Sequence, residues 1–166
     1  MNKKIIIGIV LFLIIVLLIV GFSTTTAGQL DIKGNTISEE DLKNFKFGFI
    51  GTPETSDGEK AVATIDAEEP TKATIDVSGL TEKNDFVTAT FTIQNNSENL
   101  SASLSAMVEN TNREYFKVEH NIEQPSTLKI GETTTVTVKI TLVKTPEDVE
   151  PETTATVTIS GKPIQQ

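Results

Sequence analysis

The chain contains no cysteine and no tryptophan, one tyrosine (Tyr115) and one histidine (His120). Each shortage closes a chemical route. Without cysteine there is no disulfide, no thiolate nucleophile and no lipid-modified cysteine. With a single histidine there can be no His-x-x-x-His metal pair, and no serine–histidine–acid triad can be singled out. No glycine-rich phosphate loop is present either. A sugar site of the usual kind stacks its ligand on Trp or Tyr, so with Tyr115 alone a sugar-binding reading is weakened, and a phenylalanine is the other ring that could take that role. Basic residues are also scarce, 14 against 23 acidic ones, for a net charge of −9. A surface of that sign repels phosphate backbones and anionic headgroups, which disfavours nucleic acid as a partner.

Against these absences stands one long apolar run, Ile5 to Phe22, directly behind Asn2-Lys3-Lys4. Its eighteen residues carry no charge. As a helix rising ~1.5 Å per residue they would reach about 27 Å, close to the ~30 Å hydrocarbon core of a bilayer. The run is apolar on every side, which argues against a helix on a protein core. Two readings stay open. The stretch is longer than the apolar part of a typical secretory signal and fits an uncleaved membrane anchor. Lys3, Lys4 and a small-residue site at Thr25-Thr26-Ala27 also fit a signal peptide cleaved before Gly28. Both place the lysine pair in the cytoplasm and the rest outside. The expected division is therefore a signal peptide or anchor over 1–27 and an exported domain over 28–166. The latter carries 12 basic and 23 acidic residues, a net −11. Its roughly 140 residues suffice for one domain with a real core, which must hold without disulfides.

Periodicity assigns the fold class. Residues 23–29 read as a Ser/Thr/Gly stalk, and Gln29 to Lys33 alternates as a first strand. Ser38 ahead of Glu39-Glu40-Asp41 reads as a helix cap, predicting a short helix over 39–44. Phe45, Phe47 and Phe49 alternate as a strand, and Glu54 to Lys60 reads as a polar loop. Val62–Ile65 and Ala73–Val77 flank the turn Glu68-Glu69-Pro70 and predict a hairpin. Its two strands share Ala-Thr-Ile-Asp, which is too little to indicate a repeat protein. Val87, Ala89, Phe91 and Ile93 should face a core, opposite Thr88, Thr90 and Thr92. The same alternation sets Leu100, Ala102, Leu104, Ala106 and Val108 against Ser101, Ser103 and Ser105. Tyr115 to Glu119 reads as a short strand. Val136, Val138, Ile140 and Leu142 form the next inner row, and Ala155, Val157 and Ile159 the last. This period of two predicts an all-β antiparallel sandwich with immunoglobulin-like character, wet on one face of each sheet. Threonine suits the wet face, because its β-branch favours strands and its hydroxyl accepts water.

Chemistry-bearing residues are few. His120, beside Glu119 at the end of a strand, reads as a surface or packing residue. The acidic clusters are Glu39-Glu40-Asp41, Glu68-Glu69 and the set Glu147, Asp148, Glu150 and Glu152. The last set lies between two strands and is the best calcium candidate, but it lacks the Asp-x-Asp-x-Asp-Gly spacing and reads as a solvated loop. Asn95-Asn96-Ser97 and Asn99-Leu100-Ser101 match glycan acceptor patterns, yet asparagine here reads as a turn residue. No catalytic residue, metal ligand or cofactor site is assigned.

Several blocks in order carry a family resemblance. Gly28-Gln29-Leu30-Asp31-Ile32 follows the apolar run, then Ile75-Asp76-Val77-Ser78-Gly79-Leu80, a loop ending in Asp85, and Phe91-Thr92-Ile93-Gln94-Asn95-Asn96-Ser97. Leu128-Lys129-Ile130-Gly131-Glu132 then leads into a long Thr/Val strand. This order resembles the TasA/camelysin family of exported bacterial and archaeal proteins, over about 28–34 and 73–160. Where that family often places an aromatic pair and an acid, this chain has Phe22 followed by Ser23-Thr24-Thr25-Thr26. The first two blocks, usually close together in the family, are about 40 residues apart here. The resemblance implies a jelly-roll or immunoglobulin-like sandwich and, for several members, assembly into biofilm-matrix fibres. Camelysins have been classed as metallopeptidases, but no zinc motif appears here.

The expected activity is that of a non-enzymatic cell-surface protein, membrane-tethered or secreted, serving as a fibre or matrix subunit. The first alternative is a module that binds an envelope component or protein partner. A camelysin-type peptidase is the weaker third. The expected partners are the membrane, through residues 5–22, and either a second copy or an envelope or protein partner.

Overall fold

The computed structural model describes residues 37–147 and 149–165. The apolar run Ile5–Phe22, the stalk and the strand expected at Gln29–Lys33 lie outside the described residues. A one-turn helix, α1 (Glu39–Lys43), opens the described chain, as its cap predicts. Nine strands follow: β1 (Phe47–Thr55), β2 (Ala61–Ile65), β3 (Lys72–Val77), β4 (Phe86–Asn95), β5 (Ser101–Asn110), β6 (Phe116–Ile122), β7 (Thr127–Leu128), β8 (Thr133–Leu142) and β9 (Thr153–Ile164).

The strands form two antiparallel sheets, β1-β4-β8-β6 and β2-β3-β9-β5-β7. Apolar residues of both sheets join in one core, an arrangement consistent with a β-sandwich. The inner rows are those the alternation predicts. Val87, Ala89, Phe91 and Ile93 of β4 are buried, as are Val136, Val138, Ile140 and Leu142 of β8 and Ala155, Val157 and Ile159 of β9. Phe91 sits at the centre, fully buried opposite Val136, with its ring 5.2 Å from that of Phe49. On the far face Thr90 lies opposite Thr137, their hydroxyl oxygens 3.3 Å apart. The hairpin expected around Glu68-Glu69-Pro70 is β2–β3.

Several details depart from the sequence reading. The loop expected from Glu54 begins later, because β1 runs on to Thr55. It does so through a bulge, in which Ile50 pairs with Thr92 and Glu54 with Thr90. Gly51, at φ 71°, supplies the left-handed turn that the bulge requires. Ser101, expected on the wet face, is buried between Leu100 and Ala102. Asn95 is no surface turn residue: it is fully buried at the end of β4.

Finally, β9 does not stop near Ile159 but continues to Ile164, with Ser160 to Ile164 paired to Ser105 through Ser101. Gly161 permits this extension to pack. A Cβ there would lie 2.6 Å from Cε1 of Phe47, so the ring occupies the space a side chain would take. Gly161→Ala should displace Phe47 and cost ~1–3 kcal/mol, the usual range for overpacking. Denaturant titration would measure the loss, and unchanged stability would mean that the ring moves freely.

Candidate functional site

A two-sheet domain leaves strand edges, and each exposed edge is a template for another strand unless it is blocked. The edge strands here are β1 and β6 of one sheet and β2 and the β5/β7 side of the other. Three of them are guarded. β1 is bent by its bulge, contains Pro53, and gives the Phe49 N–H to Pro70 O at 2.7 Å. β6 carries Lys117, Glu119 and His120. β2 is only five residues long.

β5 is different. β7 covers it only at Ala102 and Ser103, and the Leu104 N–H adds one bond to Ser126 O at 2.9 Å. Beyond that point Ser105, Ala106, Met107 and Val108 present an edge with no charge, proline or glycine. Ala106 and Val108 point inward and are partly buried, as are Val118 and Ile122 of β6 and Tyr115 just before it. Met107 points outward and is 56% exposed.

The second feature is a groove of about 420 Å³ at one end of the β2-β3-β9 face. Glu59, Lys60, Asp76, Thr111, Glu152 and Thr154 are among the residues that line it. Asp76 Oδ1 accepts the Thr154 hydroxyl at 2.6 Å, an ordered carboxylate–hydroxyl pair across β3 and β9. Three carboxylates against one ammonium give the groove a negative field, which favours a cationic or hydroxylated ligand over an anion.

The residues singled out by sequence are dispersed. His120 lies on β6 opposite Val138, in the inward register, yet is exposed because β6 ends its sheet. Of the proposed calcium set, Glu147 and Glu150 line a small depression beside Thr81 and Val149, while Glu152 lines the groove. Asp148 lies outside the described residues. Among the described residues no group of three or more candidate ligands is arranged to hold a metal ion.

Glu68 and Glu69 belong to a turn, for their backbone N–H groups both donate to Asp66 Oδ1. Those two bonds, led by that from Glu69, hold the Asp66 carboxyl below the ordinary carboxylate range. Glu69 also pairs with Lys72. On β6 the Lys117 ammonium sits 2.7 Å from Glu119 Oε1, and this hydrogen bond lowers the Glu119 pKa, with a smaller contribution from Lys139. Of the two glycan patterns, Asn95 is buried and cannot accept a sugar, and Asn99 donates to Asp41 Oδ1 at 2.8 Å.

Asn95 is the residue whose role the sequence hides. Its amide donates to Leu100 O at 2.9 Å and Leu128 O at 3.1 Å, and its Oδ1 accepts the Ser97 N–H at 3.1 Å. Its backbone bonds Glu132 O and the Gly131 N–H. One side chain thereby ties the end of β4 to Leu100, just before β5, and to β7 of the other sheet.

No family model matches the chain, and no curated protein or solved structure matches it.

Proposed function

We propose that this chain is a non-enzymatic protein of the cell exterior and a subunit of an extracellular fibre or matrix. In this reading the sandwich is of immunoglobulin-like or jelly-roll type and works outside the membrane, tethered by Ile5–Phe22 or released after cleavage. The observation that carries the reading is the unpaired stretch Ser105–Val108 at the edge of β5, which carries no charge, on an otherwise acidic domain. Isolated soluble domains guard such edges, whereas subunits use them. The negative surface of the remainder keeps copies apart everywhere else. The segment Gly28 to Lys33, with alternating Leu30 and Ile32, offers a further strand for this sheet or a neighbour's. Electron microscopy of the protein recovered from cells tests the reading, and monodisperse particles without fibres count against it.

The groove favours a second reading, an extracellular module that binds a cationic or hydroxylated envelope component. The two share one topology. Lys3 and Lys4 hold the N-terminus inside, so protease added to intact cells stripped of their wall should digest the domain. Protection of the domain until lysis would overturn both readings. Intact mass of the recovered protein then separates a tethered chain from one cleaved before Gly28.

A further inference from the structure

We propose that β5 is a homodimer edge, in which two copies of this chain pair β5 against β5, antiparallel, about a two-fold axis at Met107. The hydrogen-bond alternation identifies the free groups. The Leu104 N–H points away from β9, to Ser126 O, and the Ile159 N–H of β9 points away from β5, to Thr71 O. Ile159 lies opposite Ala106 and Thr158 opposite Met107. Hence Met107 bonds to β9, while Ala106 and Val108 direct one N–H and one C=O each toward the open side. No hydrogen bond joins those four groups to another described residue.

The register follows from which groups are free. With the axis at Met107, Ala106 lies opposite the second copy's Val108 and Val108 opposite its Ala106. The open groups of the two copies then satisfy one another. Moving the axis to Ala106 would call on Leu104, whose N–H is already bonded. Moving it to Val108 would call on Asn110, whose side chain is folded back on Phe116 O at 3.1 Å.

Charge agrees with this choice. On the outer face Glu109 meets the second copy's Ser105, not another acid, and the exposed Met107 meets its twin. On the inner side the half-covered Ala106 and Val108 gain apolar neighbours. A heterologous strand could bond the same edge, but only a second copy supplies this self-complementary row. The pairing is isologous and therefore closes: it uses the β5 edge to make dimers, which are then the unit of any fibre, and growth beyond the dimer needs a different contact. The inference does not rest on export or on fibre assembly, and either can fail without the other.

The absence of cysteine makes the test direct. In the proposed dimer the two Met107 residues form a non-hydrogen-bonded pair, with Cα atoms ~4.5 Å apart, inside the range a disulfide accepts. The full chain bearing Met107→Cys should cross-link rapidly under mild oxidation, as read on a non-reducing gel. Val62→Cys, equally exposed on the opposite edge of the same sheet, should cross-link only at the rate of random collision. Adding Ser105→Glu to the Met107→Cys chain sets one acid against Glu109 of each copy and should slow cross-linking several-fold. Ser105→Lys should preserve or speed it. Ser105 is exposed, so both changes leave the fold intact. Cross-linking of Met107→Cys no faster than of Val62→Cys overturns the proposal, as when a strand of the same chain or a foreign protein covers the edge. Identical effects of Ser105→Glu and Ser105→Lys overturn it as well.

Discussion

Phe91→Ala is expected to destabilise the domain by ~3–5 kcal/mol, the usual range for removing a buried aromatic ring from a core. The ring is fully buried on β4, a strand with neighbours on both sides, and packs against Phe49 of β1. Against a typical total of ~5–15 kcal/mol, and with no disulfide to limit the unfolded state, the loss is a large share of the stability. Thr92→Ala, the next residue but on the solvent face, should cost well under ~1 kcal/mol. Denaturant titrations of the two variants would check the register of β4. Equal losses would mean that the inner and outer rows are wrongly assigned.

Asn95→Asp should be comparably damaging through electrostatics, with almost no change in shape. The amide donates to two backbone carbonyls, and a carboxylate would turn an oxygen toward them. Two buried acceptors then lose their donor, at ~1–3 kcal/mol each, and an unpaired charge is buried beside them. The cost should depend on pH. Burial next to carbonyl oxygens raises the folded-state pKa of the introduced acid above its ordinary ~3.9. The folded state therefore binds more protons, so the penalty relative to the parent is smallest at low pH. It grows as pH rises through the interval between the unfolded and the raised folded pKa. Asn95→Ala, which removes the donors without adding charge, should show a smaller and pH-independent deficit. Melting temperatures of the three proteins across pH would separate these effects. A flat profile for Asn95→Asp would mean that water reaches the site.

Much of the sandwich was legible because its inner rows keep a strict period of two. Phe91 and Ile93, Val136 to Leu142 and Ala155 to Ile159 could be assigned to a buried face from spacing alone. The helix at Glu39–Lys43 was legible from its capping serine and acidic first turn. Reading failed where local preference and tertiary demand disagree. Ser160-Gly161-Lys162-Pro163 has poor strand propensity, yet pairing with Ser105 through Ala102 and the Phe47 ring over Gly161 hold it in β9. Thr127-Leu128 is too short to signal a strand and exists only because Ala102 and Ser103 offer it partners. Asn95 looked like a turn residue since Asn-Asn-Ser is turn chemistry wherever it occurs. Its burial depends on Leu100, Leu128 and Glu132 arriving from other elements.

The candidate edge divides in the same way. The sequence by itself determined the net negative charge, the lack of cysteine, the apolar run at Ile5–Phe22 and the inner and outer rows of β4, β8 and the first half of β9. Each of these depends only on residue type and spacing. That β5 lies at an edge, with Ala106 and Val108 offering open backbone groups, was decided only by the tertiary structure. A strand carries the same alternation whether it has one neighbour or two. Which of its hydrogen bonds remain unmade depends on where the rest of the chain comes to lie.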